Sequence, residues 1–171
     1  MEVPPLSTKE IDKKLKKYGH DHTCVIYKQL KQIDHIDDLL PMTLLYQQHY
    51  PIGHFVAIFV NGEGLNYFDS TAHTPDALIQ GSHFDNPLGR SATGADYTHL
   101  CRLMYDFVER FDVPIIWNEK KLQGSQSNTC GYWTTVRHVY HNLTNDEFNE
   151  MFMKYPIQKR DEMIVKLYNK L

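Results

Sequence analysis

Apolar positions along the chain change their period several times, and each change marks an element. Between Ser7 and Lys17 only Ile11 and Leu15 are apolar. Their spacing among charged residues predicts a short amphipathic helix, with Ser7 and Glu10 as a capping box. Cys24 to Tyr27 is a short apolar run of strand type. Ile36 to Leu40 predicts a helical turn stopped by Pro41, and Leu44 to Tyr46 a strand. Phe55 to Val60 is apolar without interruption, the pattern of a strand covered on both faces. Asn61-Gly62-Glu63-Gly64 then turns the chain, and Leu65 to Asp69 returns as the partner strand.

Residues 70 to 95 carry Pro75, Gly81, Pro87, Gly89 and Gly94 and read as a long loop, with a short turn near Pro75-Asp76-Ala77-Leu78. Leu100, Leu103, Met104, Phe107, Val108 and Phe111 recur at helical spacing and form the strongest helical pattern of the chain. Val113 to Trp117 predicts a further strand. A helix starts at Cys130, with Trp133, Val136 and Tyr140 as its buried stripe. Two helices close the chain. One starts at Thr144, with Glu147 as a capping box, and stops before Pro156. The other carries Ile164, Leu167, Tyr168 and Leu171 on one face. Strands cluster in the middle rather than alternating with helices, which predicts an α+β fold.

Composition narrows this picture. The 171 residues fit one domain spanning 1–171, and 42% hydrophobic content suffices for a packed core. The net charge of -3 predicts no strong non-specific binding to nucleic acid. The basic segment from Lys13 to Lys17 reads as a solvated helix face. No apolar run is long enough for a transmembrane helix, and Met1 to Pro5 lacks a signal-peptide core. Cys24, Cys101 and Cys130 form no disulfide framework, so a reducing compartment is expected and the Asn142-Leu143-Thr144 sequon is not expected to be used.

The chemistry centres on Leu122 to Trp133. Cys130 lies behind a polar loop and at a predicted helix start, where free amide groups and the helix dipole favour a thiolate. The hairpin between His54 and Asp69 brings the start of one strand beside the end of the next. His54 can then act as base toward Cys130, and Asp69 can orient the imidazole. The Cys130 backbone N–H and the Gln123 side-chain amide are suitable donors to an oxyanion. Together these are the parts of a cysteine protease. Phe55 and Tyr132 are the candidates for contact with substrate.

The chain resembles the adenovirus-type (adenain-like) maturation proteases and their relatives in virophages, Polinton-like elements and large DNA viruses. More distantly it is similar to the SUMO-deconjugating proteases. The resemblance rests on Gly53-His54-Phe55-Val56-Ala57, Phe68-Asp69-Ser70, Asn118 before Leu122-Gln123, and Thr129-Cys130-Gly131-Tyr132-Trp133. The stretch from Ile36 to Tyr46 also looks like the family's approach to its histidine. Phe55 departs from the Trp of many relatives. Gln123 precedes Cys130 by the interval of the adenovirus enzymes, one residue longer than in the SUMO proteases. The likeness covers roughly residues 20–141 and leaves the helices of 144–171 without a role.

The resemblance implies a circularly rearranged papain-like α+β fold, a central mixed sheet with flanking helices. It implies a triad of His54, Asp69 and Cys130, with Gln123 at the oxyanion hole and no cofactor. It also implies an endopeptidase that processes capsid or other structural precursors, often after small residues, in the virion and the infected host cell. Relatives use activating peptides or DNA; the slight negative charge lends no support to a DNA activator. Two other readings keep the same residues: an isopeptidase acting on ubiquitin-like modifiers, and a catalytically idle binding module. The histidines invite a metal reading through His20, His22 and Cys24, or through His138 and His141. Neither set has zinc-like cysteine spacing, and no metal site is expected. Cys101, Trp117 and Trp133 are expected in the core or, for the tryptophans, the cleft wall.

Overall fold

The computed structural model describes residues 2–49, 52–77 and 98–171. Most of the loop expected over 70–95, including the end of its Pro75 turn, lies outside the described residues. The chain opens with α1 (Thr8–Lys17), whose capping box forms as expected: Ser7 accepts from Glu10 N–H, and Glu10 accepts from Ser7 N–H. β1 (Thr23–Ile26) leads into a 3₁₀ helix, Tyr27–Gln32, which the apolar pattern did not predict. The turn before Pro41 is a second 3₁₀ helix, Asp37–Leu39. Strands β2 (Met42–His49), β3 (Ile52–Asn61) and β4 (Gly64–Phe68) follow. Then come α2 (His99–Phe111) and β5 (Ile115–Trp117). The chain ends with α3 (Cys130–Val139), α4 (Asn145–Met153) and α5 (Ile157–Lys170).

The strands form one mixed five-stranded sheet in the order β1-β2-β3-β4-β5. The outer pairs β1/β2 and β4/β5 are parallel, while β2/β3 and β3/β4 are antiparallel. With its flanking helices this is an α+β architecture. Side chains of β3 alternate between the two faces, which explains its unbroken apolar run. Val56 and Ile58 pack with Tyr27, Leu103 and Phe107 beneath α2. Ala57 and Phe59 pack with Trp133, Val136, Phe148 and Ile164 beneath α3, α4 and α5. A third cluster joins Ile11 and Leu15 of α1 to Phe55 and Cys130.

The C-terminal helices are therefore structural parts of the core around α3. Thr144 and Glu147 cap α4 reciprocally, as their spacing predicts. Within α3 every residue from Cys130 to His138 is buried. This corrects the expectation of a single stripe, because the helix is covered by the sheet, α1, α5 and the N-terminal segment. Trp133 is fully buried, but Trp117 is 41% exposed and lies outside the core. Among the described residues no helix is long and apolar enough to cross a membrane.

Candidate active site

His54 stands near the start of β3, one residue after Gly53. A β-carbon at Gly53 would approach the Tyr46 carbonyl oxygen to 2.8 Å and Leu45 Cδ1 to 2.6 Å. Only glycine lets β2 and β3 close at this point and holds His54 near the sheet. Asp69 follows directly on β4 and is completely buried. The hairpin brings the two side chains together as its geometry predicts: His54 Nε2 lies 2.7 Å from Asp69 Oδ1. The same oxygen accepts from Thr71 N–H at 2.8 Å and from the Thr71 hydroxyl at 2.6 Å.

With Nε2 engaged, Nδ1 is the nitrogen left for the hydrogen bond between His54 and Cys130. The cysteine is the first residue of α3, where amide groups lack intrahelical partners. Thr129, in the N-cap position, makes no side-chain cap. Hydrogen bonding from the backbone of Phe55 and Gly131 helps to hold the Cys130 thiol below the ordinary value. Cys130 and Gln123 are 8% and 4% exposed, so both are largely shielded from water.

Burial alone would raise the Cys130 thiol. The hydrogen bond and charge of His54, with the two backbone hydrogen bonds, outweigh it and hold the thiol below its ordinary value. Burial would likewise lower His54, but the charge and hydrogen bond of Asp69, then Cys130, lift the imidazole well above its usual range. Asp69 stays below the carboxylate range because His54 and Thr71 overcome its burial. The three shifts together favour a thiolate–imidazolium pair steadied by a carboxylate. The other thiols move the opposite way: burial, then nearby aspartates, pushes Cys24 up to about 11 and Cys101 up to about 12.

Gln123 is fixed from both ends of its amide. Ser70 Oγ donates to Gln123 Oε1 at 2.7 Å, and Gln123 Nε2 donates to the Ser127 carbonyl at 2.8 Å. The backbone N–H of Gln123 donates to Ser70 O at 2.9 Å. The amide nitrogen keeps a second hydrogen for another acceptor. Ser70, the residue after Asp69, therefore ties the loop carrying Gln123 to the end of β4, a link that a hydroxyl in a turn-like stretch does not announce.

The chain matches no protein-family model, no curated protein and no solved structure. The site thus rests on its own geometry.

The remaining candidates are placed differently. Phe55 is buried beside Cys130 with Ile11 and Leu15. Tyr132 is 5% exposed, stacks edge-on against Tyr168 and donates its hydroxyl to Pro4 O at 3.0 Å. It anchors the N-terminal segment and α5 to α3 instead of facing a cleft. The histidine sets meet in space: His20 lies against His141 and His22 against His138, while Cys24 Sγ lies 3.3 Å from His22 Nε2. Among the described residues no group of three or more His, Cys, Asp or Glu is arranged to hold a metal ion.

Proposed function

We propose that this chain is a cysteine endopeptidase of the adenovirus-protease type, with a circularly rearranged papain-like fold. The observation that carries the reading is the buried relay from Asp69 through His54 to Cys130 at the head of α3. A thiolate in this setting attacks a peptide carbonyl. The developing oxyanion is received by the Cys130 N–H and the free hydrogen of the Gln123 amide. The His54 imidazolium gives its proton to the departing amine, leaving a thioester on Cys130. Neutral His54 then takes a proton from water, and the hydroxide releases the acid and restores the thiolate. Asp69 remains ionised throughout and keeps the imidazole in one orientation.

The substrate class follows from the resemblance: structural precursor polypeptides of a DNA virus or virus-like element. The Gln123 to Cys130 interval favours this branch over removal of ubiquitin-like modifiers. The test is cleavage of the cognate capsid precursors by the purified protein beside Cys130→Ala. Cleavage lost only in the variant is expected, and equal processing by both sinks the reading. Labelling of Cys130 by a modifier-based suicide probe, without precursor cleavage, would transfer the site to an isopeptidase.

A further inference from the structure

Three hydrogen-bond donors from the segment around Cys130 converge on one carboxylate of α5. Asp161 Oδ2 accepts from Gly124 N–H at 2.9 Å. Asp161 Oδ1 accepts from the Thr129 hydroxyl at 2.6 Å and from Trp133 Nε1 at 3.1 Å. These donors lie at both ends of the loop 124–129 and one helical turn into α3. Gly124 follows Gln123, and Thr129 precedes Cys130. A β-carbon at Gly124 would stand 2.9 Å from Asp161 Oδ2, so the glycine is what lets the carboxylate reach the amide.

We infer that Asp161 is a positioning residue of the active site, setting the distance between the oxyanion donor Gln123 and the nucleophile Cys130. The inference rests on the protease reading above. Two consequences of the geometry support it. A threonine in the N-cap position ordinarily turns its oxygen onto the first amide groups of the helix. Here the hydroxyl is directed to Asp161, and the first amide groups of α3 carry no side-chain cap. Ser127 Oγ lies 2.7 Å from Thr129 Oγ1, and the Ser127 carbonyl accepts from Gln123 Nε2. A single chain of hydrogen bonds therefore runs from Asp161 through Thr129 and Ser127 to Gln123. The role of α5 is thereby larger than packing.

Asp161 borders a cavity of about 840 Å³ between the loop and α5, so a side chain of equal size fits without a clash. Asp161→Asn keeps the shape but removes the charge that gathers three donors. The test uses the full chain and iodoacetamide, with the rate at Cys130 followed by mass spectrometry from about pH 5 to about pH 9. In Asp161→Asn the rate near neutral pH is expected to fall roughly ten- to a hundredfold, and the rate–pH curve to move to higher pH. On precursor peptide kcat should fall while KM stays close to that of the parent. A folded Asp161→Asn protein with an unchanged alkylation curve overturns the inference.

Thr129→Val keeps the buried volume and removes one donor, so it carries the test if Asp161→Asn does not fold. It should give a smaller shift in the same direction, and adds little when combined with Asp161→Asn. No shift overturns the inference. Parent Cys130 reacting no faster than Cys24 and Cys101 overturns the protease reading and this role with it. A fast, Asp161-dependent Cys130 without precursor cleavage overturns the substrate class alone.

Discussion

Asn118 holds the backbone of Asp69 from both sides: its Oδ1 accepts from Asp69 N–H at 2.9 Å, and its amide donates to the Asp69 carbonyl oxygen. The parallel pairing of Tyr67 with Trp117 delivers the residue after β5 to the end of β4. Asn118 and Asp69 are both buried, so the paired groups have no water to replace a lost partner.

Asn118→Ala should leave the buried Asp69 N–H without a partner, while the Asp69 carbonyl keeps its bond from Ala72 N–H. The expected cost is about 1–3 kcal/mol in unfolding free energy, measured by denaturant titration. It should also release the carboxylate from His54, lowering kcat at least about tenfold. A variant with parental stability and turnover would show that Asn118 is dispensable.

On the proposed protease reading, the charge on Asp69 sets the pH range of the His54–Cys130 pair. It lifts His54, so the imidazolium survives above its usual range; His54 in turn lowers Cys130, so the thiolate survives below its usual range. In Asp69→Asn both supports weaken. The alkaline limb of the rate profile should then move to lower pH and the acid limb to higher pH. These limbs belong to the coupled pair rather than to either residue. The peak kcat/KM should fall by something on the order of 10³–10⁴, since the amide also favours the wrong tautomer. A profile of unchanged width would contradict the role given to Asp69.

Much of this arrangement is legible in the sequence because its parts are local or joined by a short hairpin. Ser7 with Glu10 and Thr144 with Glu147 are caps readable within one helical turn. The turn from Asn61 to Gly64 is enough to bring His54 to Asp69. Contacts that depend on how distant elements dock are not readable. Nothing around Asp161, in a charged helix, marks it as an acceptor for Thr129 and Trp133. Tyr132 looks free of the buried stripe until the N-terminal segment and Tyr168 close over it. Trp117 looks like core until the short strand β5 proves to lie at the sheet edge.

Arg137 is fully buried in α3 without a carboxylate partner among the described residues. Its guanidinium lies 4.8 Å from the Phe59 ring centre and 5.0 Å from that of Phe148. It donates to the carbonyls of Tyr140 and Leu143, fastening the turn between α3 and α4. Aromatic faces and carbonyl oxygens together replace part of the lost hydration, while Nε is left without a hydrogen-bond partner. Arg137→Ala should cost about 2–4 kcal/mol, chiefly through the cavity, since the Tyr140 carbonyl keeps Leu143 N–H and the Leu143 carbonyl keeps the Asn61 amide. Arg137→Lys should recover only part of this, because a single ammonium cannot reproduce the planar fork. Thermal and denaturant unfolding of the variants measure both effects, and a Lys variant as stable as the parent would refute the caging argument.

His138 should give the fold a pH dependence of its own, separate from that of His54 and Cys130. Burial, followed by the charges of His22, His20, Arg137 and His141, holds its pKa well below the ordinary value. Its Nε2 meets Thr43 Oγ1 at 3.1 Å, and its ring packs near Phe59. The sign follows from proton uptake: below about pH 6.5 the unfolded chain binds a proton at this histidine and the folded chain does not. Its contribution is therefore present above that pH and is lost as the pH falls. The slope approaches about 1.4 kcal/mol per pH unit until the folded-state value is reached. His138→Gln should lower stability at neutral pH yet flatten the decline on the acid side. The check is a pair of denaturant titrations, at about pH 7.5 and about pH 5.5, on the parent and the variant. An identical acid decline in both proteins would place the sensitivity elsewhere, with the buried His22, whose pKa burial also lowers, as the next group to replace.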